Sequence, residues 1–83
     1  MQNLAFIESV YPNPSSGPLT LKMNQFGTFN LEIFNQSGEL IKSDVLNSES
    51  YRTGLYDQPN GLYIIRVSDN DKNFDTRKII LNK

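Results

Sequence analysis

The sequence predicts an all-β fold, an Ig-like antiparallel β-sandwich of about seven short strands. Apolar residues recur with a period of two rather than 3.6, so successive side chains face opposite sides of a sheet. β-Branched and aromatic residues concentrate in these runs, as strands prefer. Turn residues break the chain at short, regular intervals, the pattern of two packed antiparallel sheets. No convincing helix is present.

The first strand is expected over 4–10. The stretch YPNPSSG, residues 11–17, ends it. Proline fixes φ and lacks a backbone donor, so neither Pro12 nor Pro14 fits the middle of a sheet. Each pushes its predecessor, Tyr11 or Asn13, toward an extended conformation. Ser15, Ser16 and Gly17 supply turn chemistry. A rigid corner between two strands is expected here. The second strand, 18–24, alternates Leu19, Leu21 and Met23 with Thr20, Lys22 and Asn24. Gln25-Phe26-Gly27 turns the chain into the third, 28–35, which alternates Phe29, Leu31 and Ile33 with polar residues. Asn35-Gln36-Ser37-Gly38 reads as a hairpin loop with Gly38 free to take positive φ. A fourth strand follows over 39–46. The polar stretch 47–60 holds a weak strand near 50–53, with scattered Tyr51, Leu55 and Tyr56. Pro59-Asn60-Gly61 is a strong break. Beyond it, Tyr63, Ile65 and Val67 mark a sixth strand over 61–68. Asp69-Asn70-Asp71-Lys72 closes the last hairpin before a seventh strand over 73–81.

Size and composition bound the function. A chain of 83 residues makes one domain, residues 1–83. A net charge of −1 with both signs scattered argues against a nucleic-acid surface or a polybasic membrane patch. Without cysteine, disulfides and thiolate metal sites are excluded. No apolar run approaches the ~20 residues of a helical membrane span. The opening MQNLAFIESV has no basic segment before its apolar residues and does not read as a secretory signal. If the domain is exported, that signal belongs to a longer parent chain.

Most chemistry falls away on inspection. The chain has no histidine, the usual general base near neutral pH, and no nucleophile elbow frames a serine. A carboxylate pair would find little cleft in so short a chain. No enzymatic activity, cofactor or small-molecule substrate is expected. Asp69-Asn70-Asp71-Lys72-Asn73-Phe74-Asp75 spaces oxygen ligands as a calcium loop does. However, Phe74 stands where the bend needs glycine and Ile80 where the bidentate glutamate belongs. A solvated hairpin turn produces the same pattern, and no metal site is assigned. Asn35-Gln36-Ser37 fits a glycosylation acceptor but already serves a turn. Tyr11, Tyr51 and Tyr56 could stack sugars on a carbohydrate-binding or adhesive face, or fill a thin core. The basic pair Arg77-Lys78 ahead of the last apolar run could protect an exposed edge or serve as a handle for strand addition.

Four segments carry a resemblance. An apolar strand runs into Tyr11-Pro12-Asn13-Pro14, with Gly17 shortly after. Phe29-Asn30-Leu31-Glu32-Ile33-Phe34-Asn35 precedes a turn and Gly38. Asn60-Gly61-Leu62-Tyr63-Ile64-Ile65-Arg66-Val67 comes late, and Arg77-Lys78-Ile79-Ile80-Leu81-Asn82-Lys83 is last. In this order and spacing, over nearly the whole chain, the sequence resembles the type A C-terminal sorting domain of the type IX (Por) secretion system. The departure lies in Tyr51-Arg52-Thr53-Gly54-Leu55-Tyr56-Asp57-Gln58, where the family often shows a clearer apolar strand.

The resemblance implies a signal that directs an N-terminal cargo domain across the outer membrane. The translocon would recognise it, and a sortase-like peptidase would typically remove it. The parent would pass through the periplasm to the cell surface or the medium. By that analogy the motif positions are Pro12, Asn13, Pro14, Gly17, Gly61, Tyr63, Arg77, Lys78, Ile79, Ile80, Leu81, Asn82 and Lys83. Structurally, Pro12 and Pro14 fix the corner, Gly61 allows a bend and Tyr63 fills the core. The terminal strand is the expected recognition surface, offering charge and free backbone groups. The double-proline corner would set the removable domain apart from its cargo-side strand.

Overall fold

Strands form where the alternation falls. A computed structural model describes residues 6–83. The described strands are β1 (Ile7–Tyr11), β2 (Pro18–Met23), β3 (Phe29–Asn35), β4 (Leu40–Leu46), β5 (Ser50–Gly54), β6 (Gly61–Ser68) and β7 (Phe74–Leu81). The expected first strand began at residue 4, and its first two positions lie outside the described residues. The expected fifth strand is a full member of its sheet, paired with β2 from Pro18↔Gly54 to Lys22↔Ser50.

Two antiparallel sheets result, one in the order β1-β2-β5 and the other β4-β3-β6-β7. Three connections cross between the sheets: β2 to β3, β4 to β5, and β5 to β6. This order follows the A-B-E and C′-C-F-G strand arrangement of immunoglobulin-type sandwiches. The core lies between the sheets. Leu19, Leu21 and Met23 from β2 meet Phe29, Leu31 and Ile33 from β3, with Tyr63, Ile65 and Val67 from β6 and Ile79 and Leu81 from β7. Burying each such side chain contributes about 1.5–3 kcal/mol. At one end the rings of Phe6 and Phe29 pack 5.2 Å apart.

β4 keeps the alternation least well. Only Leu46 is buried, and the register with β3 slips between Ile33 and Phe34, leaving Ile41 as an extra residue packed toward the core. The β3–β4 turn forms as expected. Gly38 takes φ 86° and donates to the Asn35 carbonyl at 3.0 Å.

The corner over 12–17 departs from expectation in one respect. It does not set β1 apart. β1 and β2 pair directly across it, from Tyr11↔Thr20 to Ile7↔Met23. The Tyr11–Pro12 and Asn13–Pro14 peptide bonds are both cis.

Candidate recognition surface

The register divides the sandwich into two ends. At the entry end the described chain begins, with the Phe6 carbonyl accepting from the Asn24 N–H at 2.9 Å. The turn over 24–28, the link over 47–49 and the β6–β7 hairpin lie at this end. At the exit end lie the corner over 12–17, the turn over 36–39, the loop over 55–60 and the last two residues.

The exit end is knitted from segments far apart in sequence. The Asn13 side chain lies along the outer edge of β7. Its carbonyl oxygen accepts from Ile80 N–H at 3.0 Å and its amide donates to the Lys78 carbonyl at 3.3 Å. An asparagine amide thus stands in for a peptide group of a missing strand. Ser15 continues the pairing through its backbone, as a parallel bridge to Leu81. Its N–H donates to the Ile80 carbonyl, and its carbonyl accepts from Asn82 N–H, both at 2.8 Å. Ser15 is itself buried, and its hydroxyl oxygen accepts from Gly17 N–H at 2.9 Å. The Gly17 carbonyl accepts from Leu55 N–H at 2.8 Å, tying in the third segment.

The tail is docked as well. Lys83 N–H donates to the Asn60 side chain at 2.9 Å, and the Lys83 ammonium donates to the Tyr56 and Gln58 carbonyls. Tyr63 is buried in the core, as expected, and its hydroxyl also donates to the Pro59 carbonyl. A tyrosine in this strand bonding back a few residues upstream is a tyrosine corner. Gly61 opens β6 at φ 153°, a backbone conformation that side-chain-bearing residues rarely adopt.

The motif positions therefore divide. Pro12, Asn13, Pro14, Lys78, Ile80, Asn82 and Lys83 are exposed. Gly17, Tyr63, Ile79 and Leu81 are buried and hold the end together. The free backbone edge expected of the terminal strand is largely absent at this end, because Asn13 and Ser15 already occupy Lys78, Ile80 and Asn82. What β7 offers a partner here is side chains.

Arg77 serves elsewhere. With buried Asp75 it clamps β7 to β1 at the entry end. Ile7 N–H donates to the Asp75 carboxylate at 2.9 Å, and the Arg77 guanidinium donates to the Ile7 carbonyl and pairs with Asp75 at 3.2 Å. Sequence reasoning missed this clamp. The signal was Asp75 itself, a charge in phase with buried Ile79 and Leu81.

The remaining candidates resolve into turns. Asp69 accepts from Asp71 N–H and Asn73 N–H, both at 2.9 Å, and from the Asn73 amide. The Asn73 amide bond leads these in holding the Asp69 carboxyl below its ordinary value. No metal-ligating cluster occurs among the described residues. Asn35 bonds Glu39 through its amide and accepts from Ser37 and Glu39 N–H groups, so its side chain serves the turn as expected. The three tyrosines do not form one platform. Tyr51 lies in phase with Leu21 on the core side, its hydroxyl on Asp44, while Tyr11 and Tyr56 are exposed.

Two comparisons bear on this arrangement. The family of secretion system C-terminal sorting domains matches residues 9–82. Ulvan lyase NLR42 of Nonlabens ulvanivorans is 32% identical over 74 residues, which cover 88% of this chain. The chain spans only 14% of the length of that relative. The match runs from within β1 to the residue after β7 and takes in the exit end except Lys83. The chain belongs to the family of type IX secretion C-terminal sorting domains.

Proposed function

We propose that residues 1–83 act as one detachable address for a larger cargo. The translocon of the type IX system recognises it, carries the parent from the periplasm across the outer membrane, and a sortase-like peptidase then removes it. The cargo is left at the cell surface or released. Pro12, Asn13, Pro14, Lys78, Ile80, Asn82 and Lys83 present the surface that is read. Gly17, Gly61, Tyr63, Ile79 and Leu81 give it shape, and Arg77 secures β7 to β1.

One observation carries this reading. The segments at the exit end are bonded to one another, at the opposite end of the strands from where the described chain begins. A cargo joined ahead of β1 leaves the exit end accessible. The test uses a reporter carrying an N-terminal signal peptide and residues 1–83 behind it, in a host with this secretion system. The expected outcome is reporter outside the cell, and periplasmic retention once residues 78–83 are deleted. Equal export of both would refute the reading.

A further inference from the structure

We infer that Tyr56 is the anchor by which a protein of the secretion machinery grips the exit end. This rests on the sorting function proposed above and names a contact within it. Tyr56 is 66% exposed, yet one side of its ring packs on backbone. It lies across two glycines from different segments. A Cβ on Gly17 would come within 2.5 Å of the ring, and one on Gly54 within 2.4 Å. Gly54 ends β5 without the positive φ that would demand glycine, so the ring is what excludes a side chain there. Here two glycines seat a ring that remains mostly in water.

The other features of Tyr56 match an interface anchor. Tyr51 and Tyr63 commit their hydroxyls to Asp44 and Pro59, whereas the Tyr56 hydroxyl has no partner among the described residues. The Tyr56 backbone carbonyl holds the Lys83 ammonium at 3.1 Å, which tethers a cation to the same loop. A ring seated on backbone has little rotamer freedom left to lose on binding, and tyrosine is among the side chains that dominate protein interfaces. The occupant that fits is a protein surface with an apolar group to cover the ring and an acidic group facing Lys83. The cargo is a poor candidate, because it joins the chain ahead of the opposite end.

The experiment uses the same reporter fusion. Tyr56→Ala is expected to lower export about tenfold or more, the scale of an interface hot spot. Phe26→Ala removes an aromatic that is 76% exposed at the entry end and is expected to export normally. A photo-crosslinking residue at 56 in the full fusion is expected to capture a secretion-system protein, and one at 26 is not. This arm holds even if Tyr56→Ala folds poorly. Normal export of a folded Tyr56→Ala fusion overturns the inference, as does crosslinking at 56 only to the cargo or to a second copy. Glycan-array binding by the domain that Tyr56→Ala abolishes also overturns it. Failure of the unsubstituted fusion to export would instead refute the sorting function.

Discussion

Asp75 and Arg77 do for Ile7 what a neighbouring strand would do: a carboxylate accepts its N–H and a guanidinium donates to its carbonyl. Replacing Asp75 by Ala orphans a buried N–H and strips Arg77 of its carboxylate partner. The expected loss is about 2–3 kcal/mol in urea unfolding, with Asp75→Asn losing less because its amide oxygen still accepts. Gly54 gives a second residue-level test. Gly54→Ala forces the Tyr56 ring off its seat and is expected to destabilise the fold. In a Tyr56→Ala background the same change is expected to be neutral or stabilising, and the double-mutant cycle measures that coupling. At this scale the sequence is only partly legible. Tyr63 reads as core from its phase, but nothing nearby reveals where its hydroxyl goes. Asp75 falls in an acidic stretch that mimics an ion loop, and only its phase with Ile79 and Leu81 betrays its burial.

At the scale of elements, alternation and punctuation locate the strands because both are local. β6 and β7 carry the pattern cleanly. β5 is read as weak because its buried residue, Leu55, lies just past the strand end. The closure of the β7 edge is not legible. It depends on Asn13 meeting residues more than sixty positions away, and the P-N-P spelling explains the turn without that contact. Two carboxylates set an acid dependence. The Tyr51 hydroxyl, and next the Val45 N–H, hold Asp44 below 3.8, while Asp69 is lowered first by the Asn73 amide. Both contribute stability above their unfolded value of 3.8 that is lost as pH falls through their lower folded values. Tyr51 runs the other way. Burial, and then its bond to Asp44, raise it above 10.0, so its contribution is lost as pH rises through the folded value. Melting temperature against pH is expected to fall at both extremes. Asp44→Asn should flatten the acid limb, and Tyr51→Phe the alkaline limb.

The whole molecule has a polarity that no single strand shows. The described chain begins at one end, held by the Asp75–Arg77 clamp, and closes at the other, where corner, loop and tail share hydrogen bonds. Family membership makes the domain an export address, and under the function proposed above this polarity leaves the exit end open to be read with cargo attached. The claim stands or falls on whether the exit end is one cooperative unit. Amide hydrogen exchange on the free domain tests it most directly. The amides of Ser15, Leu55, Ile80, Asn82 and Lys83 are expected to share one level of protection, and Asn13→Ala to speed them together. Ile80, Asn82 and Lys83 exchanging as an unprotected tail, while Ser15 and Leu55 stay slow, would contradict it.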